Sequence, residues 1–278
     1  MKKIFILIII NICFYCCLKA QTDSTEKSKL KVKLSANFNS GLNYYGRTDS
    51  LKSSGFFPLA EFWFGENFYI NAAPVFVNNS STSFDYAGTV ATAGYQFLSK
   101  EKNWFGNFYI VKPFYESNSQ LVQSALKAQA AFSLTNLNKL VNITGGADIK
   151  VSDKVDFGVT AGLDHIFRKQ FANNSVLVID PSAYLFAGTQ QFTNTYYKQT
   201  GFLFVPGAGQ RVSENVKNFN VLSYEFSTPV IYAKGKCQLM ITPAYVIPQN
   251  LITVEGRPDL SERGKEMFYV TIGIKLIL

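Results

Sequence analysis

The chain has 278 residues, a formal charge of +8, 47% hydrophobic and 15% aromatic residues, and only 17% charged ones. A mild basic excess spread along such a length leaves no clustered Lys/Arg footprint, so nucleic acid is not an expected partner. After the first twenty residues no apolar run approaches the roughly 18 residues of a helical membrane span, which excludes a helical membrane protein.

The N-terminus has the three-part layout of a secretory signal. Lys2 and Lys3 form a charged start, an apolar run follows from Ile4 to Leu18, and Ala20 precedes Gln21 as the expected cleavage point. The run is short of the roughly 20 residues of a spanning helix, so residues 1–20 read as a cleaved signal peptide. An uncleaved anchor and a lipid-modified Cys16 or Cys17 are the alternatives, although Phe14-Tyr15 does not suit lipidation. Cleavage removes Cys13, Cys16 and Cys17 and leaves Cys237, which excludes an internal disulfide and a cysteine metal cluster. No cofactor or metal is expected.

Residues 21–29 are a short polar leader, and the barrel domain is assigned to 30–278. From Leu30 to Tyr45 the even positions are mostly apolar (Leu30, Val32, Leu34, Ala36, Phe38, Leu42), while the odd ones are Lys, Ser, Asn or Gly up to Asn43. Alternation of period two means a strand with one face in an apolar medium. The same rule predicts strands near 54–64, 67–77, 84–98, 106–116, 124–135, 139–150, 153–168, 175–188, 216–227, 235–247 and 266–278. Residues 121–140 also admit an amphipathic helix, since Ala and Leu are good helix formers. Rows such as Phe56/Pro58/Ala60/Phe62/Phe64 and Phe68/Ile70/Ala72/Pro74/Phe76 read as lipid-facing. Short turns at Gly65-Glu66-Asn67 and Asn136-Leu137-Asn138 alternate with longer connections at Thr189–Asn215 and Pro248–Lys265. The prediction is an all-β fold: a single antiparallel transmembrane β-barrel of twelve strands, with ten or fourteen as alternatives. Both termini fall on the periplasmic side of an outer membrane.

The final strand, Met267 to Leu278, carries an unbroken apolar row of Phe268, Val270, Ile272, Ile274, Leu276 and Leu278. It suits a closing strand that pairs with the first. With the signal ending Lys19-Ala20-Gln21 and the hairpin Gly145–Gly158, it makes the chain resemble the outer-membrane β-barrel proteins of the Bacteroidota type. That resemblance implies a fold, a location, and partners in outer-membrane lipid and the assembly machinery. It implies no reaction. Leu278 stands where many outer-membrane proteins end in Phe.

Three constellations are candidates for function. His165 is the only histidine, and barrel phospholipases and lipid-A deacylases use a His with a Ser or an acidic partner. On its strand His165 falls on the outward row with Phe167, and Asp164 points the other way, so the plain reading is an interfacial aromatic girdle. The second is a set of lumen-lining charges: Lys31, Lys33, Glu61, Lys112, Lys127, Asp148, Lys150, Asp156, Glu225, Lys236 and Lys275. With Glu116 and Asp164 counted, seven basic residues face six acidic ones, and this near balance of sign permits either a salt-bridged plug or a narrow pore. The third is the long loop, where Tyr196, Tyr197, Phe202 and Phe204 are candidate contacts for a solute or an extracellular partner. The functional expectation is a narrow passive channel for small solutes or a structural barrel with binding loops. The alternative is a lipid-modifying enzyme centred on His165.

Overall fold

A computed structural model describes residues 30–116, 119, 121–192, 218–252 and 261–278. The signal peptide, the polar leader and the loop candidates Tyr196, Tyr197, Phe202 and Phe204 lie outside the described residues. Twelve antiparallel strands run up and down, each paired with its sequence neighbours. They are β1 (Leu30–Asn39), β2 (Ser54–Phe64), β3 (Phe68–Asn78), β4 (Asp85–Leu98), β5 (Trp104–Tyr115), β6 (Ala128–Asn136) and β7 (Asn142–Val151). Then come β8 (Val155–Asp164 and Phe167–Gln170), β9 (Ser175–Ile179 and Ser182–Gly188), β10 (Asn220–Ser227 and Val230–Lys234), β11 (Cys237–Pro248) and β12 (Met267–Ile277).

Strands β8, β9 and β10 are each interrupted once, and the cause is local. Pro181 and Pro229 have no N–H to give to the ladder. Register is unchanged across the breaks: Ser182 faces Asp164 above and Ile179 faces Phe167 below. The proline carbonyls still accept, Pro181 from His165 N–H at 3.2 Å and Pro229 from Asp180 N–H at 2.9 Å. The strand expected near 216–227 continues past Pro229 to Lys234.

The sheet closes between β1 and β12. Lys33 faces Ile277, Asn39 faces Thr271, and Leu278 N–H donates to Val32 C=O at 2.8 Å. Closure leaves no sheet edge, which a structure in lipid requires. The final strand therefore has the closing role its alternation implied.

Burial is inverted relative to a water-soluble protein. Ile143, Phe157 and Phe268 on the outer face are 57%, 55% and 64% exposed, whereas Lys150 and Asp156 inside are 1% and 0% exposed. Apolar side chains on the outside and charges within give the surface of a barrel whose solvent is lipid. Aromatics gather at both rims. Phe56, Phe76 and Phe84 pack together at the end carrying the longer connections, the loop end, with ring centroids 5.0 to 6.4 Å apart. Phe64 and Phe68 do so at the end carrying the termini.

Two predicted strands are shorter than their patterns. β1 ends at Asn39, whose Oδ1 accepts Gly41 N–H at 2.8 Å and turns the chain inward. β6 starts at Ala128, because Val122–Ala125 form a 3-10 turn that buries Val122 and Ala125. The helix alternative for 121–140 is confined to that one turn.

Candidate functional site

The lumen is filled at the loop end by connections that fold inward. The first is a tight hairpin between β1 and β2. Tyr44 and Arg47 exchange both backbone hydrogen bonds, at 2.8 and 3.0 Å, and Tyr45 and Gly46 at the tip have φ of +56° and +75°. Two consecutive left-handed residues define the type I′ turn. A side chain at Gly46 has no room, since its Cβ would stand 2.8 Å from the Pro248 ring.

Arg47 is the knot of the plug. Its Nε meets Glu262 Oε1 at 3.1 Å, with the two side chains 1% and 4% exposed. Its other nitrogens donate to Gln190 Oε1 and to the carbonyls of Tyr45 (3.1 Å), Leu222 (3.3 Å) and Gln249 (3.2 Å). One planar fork thus ties together segments far apart in the chain, and the fixed geometry of five N–H donors suits Arg and no other residue. Thr48 N–H adds a bond to Arg263 C=O at 2.9 Å.

Asp156 near the start of β8 holds a second connection. It is fully buried and accepts from Thr189 Oγ1 (2.6 Å), Gln191 N–H (2.6 Å) and Phe192 N–H (2.7 Å). This seats Phe192 against Tyr44, ring to ring at 5.1 Å, and against Val122 and Leu126 of the third connection. Gln123 Nε2 closes the group by donating to Asn43 C=O at 2.9 Å. The Tyr44 and Tyr45 rings lie with centroids 4.5 Å apart, tilted by 50°. Burial, then the neighbouring Tyr45 and Asp148, pushes the Tyr44 phenol well above its ordinary value. Burial also raises Tyr45, against the opposing pull of Lys150.

Below the plug the Tyr45 ring forms the ceiling of a cavity of about 490 Å³. Aromatic rings from Tyr109, Tyr184 and Phe186, hydroxyls from Ser133, Thr135, Thr144, Thr160 and Ser227, and the carboxylates of Asp148 and Glu225 line it. Tyr45 packs on Phe186 at 5.3 Å, and Lys150 Nζ lies 5.3 Å from the Tyr45 ring centre while pairing with Asp148.

The eleven predicted lumen charges divide. Lys33, Glu61, Asp148, Lys150, Asp156, Glu225 and Lys275 lie on inward rows. Lys275 pairs with Glu61 at 2.8 Å, and Lys33 stands 3.8 Å over the Trp63 ring. Lys31 shares the inward parity but is exposed at the terminal rim. Lys127 precedes β6 at the loop rim, where it pairs with an exposed Asp153 at 2.8 Å. Lys236 sits in the β10–β11 turn. Lys112 faces outward, sharing parity with the exposed Phe108, Ile110 and Phe114; it donates to Lys127 C=O at 2.9 Å and lies 5.6 Å from the Phe114 ring centre. A long cation near the rim snorkels out of the apolar layer, and that corrects its predicted position.

His165 lies at the β8 break, its ring edge-on to Phe167 at 4.4 Å. Asp164 points inward to Asn142 Nδ2 at 2.6 Å. Ser182 and Ser227 face the lumen and bond each other at 2.8 Å. Cys237 is half-buried at the base of β11 and takes part in no disulfide among the described residues.

No protein-family model matches the chain, and no curated protein matches its sequence. Several solved structures are similar. The KdgM porin shares 8% identity over 88% of this chain and 98% of its own, with a TM-score of 0.48. An outer membrane channel from Pseudomonas putida F1 shares 10% over 93% and 100%, with a TM-score of 0.48. LpxR from Salmonella typhimurium shares 8% over 88% and 99%, with a TM-score of 0.43. No residue role is carried from them to this chain. The closed sheet and its inverted burial decide the class on their own. The chain is a transmembrane β-barrel.

The sequence missed Arg47, Phe192 and Tyr45. The one local signal was the turn-forming Asn43-Tyr44-Tyr45-Gly46, which sat inside an apparently regular strand pattern.

Proposed function

We propose that this protein is an outer-membrane barrel of the Bacteroidota type that passes small solutes passively along a narrow lumen. Its own inward-folded connections close the loop end. In this reading both termini lie in the periplasm, the longer connections face outward, and lipid and the assembly machinery are the membrane partners. The observation that carries it is the pairing of a 490 Å³ lumen cavity with a plug secured by side-chain hydrogen bonds at Arg47 and Asp156. Such bonds are reversible, whereas a barrel serving only as scaffold needs no cavity beneath its plug. The solute-free alternative, a structural barrel that displays loops, predicts flat bilayer traces from wild type and from plug-weakened variants alike. Stepwise conductance from either one supports the channel.

A lipid-modifying role for His165 finds no support in the geometry. Its ring packs on Phe167 on the outer side, while Ser182 and Ser227 face the lumen and bond each other. A nucleophile needs its base within hydrogen-bond reach.

A further inference from the structure

The cavity below the plug has a composition that selects by charge. Its aromatic lining includes Tyr45, Tyr109, Tyr184 and Phe186, together with the carboxylates of Asp148 and Glu225. Among the described residues, no Lys or Arg lines it. The two carboxylates differ. Asp148 is neutralised by Lys150, which is buried beside it. Glu225 has no ion-pair partner among the described residues. The free charge of the cavity is therefore negative and stands beside ring faces, whose quadrupoles also attract cations. An anion there would meet a carboxylate and π-faces without a compensating donor of positive charge. The volume suits a small molecule of drug-fragment size.

We infer that the lumen cavity is a binding station for small organic cations of the ammonium or guanidinium type. Glu225 is the anchoring carboxylate, and Tyr184, Phe186 and Tyr45 form the cation–π wall. This rests on the reading of the lumen as a solute path, and the test separates the two. Full-length protein, checked for folding by its heat-modifiable gel shift, is placed in planar bilayers under a tenfold gradient of tetramethylammonium chloride. Wild type and the plug-weakened Arg47→Ala are compared with and without Glu225→Gln. The expected result is a reversal potential of cation-selective sign that collapses toward zero in Glu225→Gln and survives in Glu225→Asp. Tyr184→Leu should weaken block of potassium current by tetramethylammonium about tenfold. Conductance that is anion-selective, or indifferent to Glu225→Gln, overturns the cation site and leaves the channel standing. Absence of conductance from every folded variant overturns the channel. Calorimetric titration of tetramethylammonium in detergent then decides the site, and equal binding or none in wild type and Glu225→Gln overturns it.

Discussion

Replacing Arg47 by Ala removes the one side chain shared by four segments of the plug. Glu262, only 4% exposed, loses its counter-charge, and the carbonyls of Leu222 and Gln249 lose a donor. Breaking a buried pair by deleting one partner costs about 3–5 kcal/mol, chiefly from the uncompensated charge left behind. If that loss falls on the closed arrangement alone, each 1.4 kcal/mol is a factor of ten. The closed-to-open ratio then drops by about two to three and a half orders of magnitude. Arg47→Lys keeps the charge beside Glu262 but cannot reproduce the planar fork, and should fall between the two. The barrel wall is untouched, so the heat-modifiable shift should be that of wild type. Single-channel recording in planar bilayers reads the effect as open probability, in the order Ala, then Lys, then wild type. A folded Arg47→Ala protein with the wild-type open probability would refute Arg47 as the latch.

Other expectations follow from the same framework. Asp156→Ala strips three hydrogen bonds from the segment that seats Phe192, about 1–3 kcal/mol for a donor left buried and unpaired. A cysteine probe at 192 should label faster in that variant, and equal labelling would deny Asp156 its anchoring role. Tyr44 and Tyr45 lie in the connection between spanning strands, and burial raises both. A raised phenol keeps its stabilising contribution to closure below pH about 10 and loses it as pH climbs through the raised value. Open probability should therefore rise at strongly alkaline pH in wild type and stay flat in a Tyr44→Phe, Tyr45→Phe double variant; an identical rise in both would count against the phenols. Ile272→Arg, on the lipid row of β12 at 51% exposure, should cost about 2–4 kcal/mol near the bilayer midplane. Denaturant titration in lipid vesicles measures it, and a neutral result would mean that this face does not meet hydrocarbon.

Much of the wall was legible because each face of a barrel strand meets one uniform medium. Phe268, Val270, Ile272 and Ile274 alternate with Tyr269, Thr271, Gly273 and Lys275 along β12, and the fold separates them as the alternation implied. Errors arose where a residue type was trusted over its parity. Lys112 was placed inward for its charge, although Phe108, Ile110 and Phe114 at the same parity already fixed it outward. At the rim its length lets the ammonium leave the apolar layer, so charge there says little about facing.

The plug was illegible for a different reason. Arg47 touches Glu262, Gln190, Leu222 and Gln249, all 140 or more positions away, and no local pattern announces a partner at that separation. The barrel makes those contacts possible by geometry: closure brings the loop ends of β1, β9, β10 and β11 around one small opening, so connections distant in sequence share it. That same closure explains why the lumen charges do not simply cancel along one strand. Lys275 finds Glu61 across β1, from the last strand to the second, while Glu225 on β10 has no ion-pair partner among the described residues. Where the wall supplies a counter-ion the charge is structural; Glu225 meets ring faces of the cavity lining instead. The lumen wall is thus held by its ion pairs, and Glu225 beside the ring faces is the carboxylate on which the proposed cation site turns.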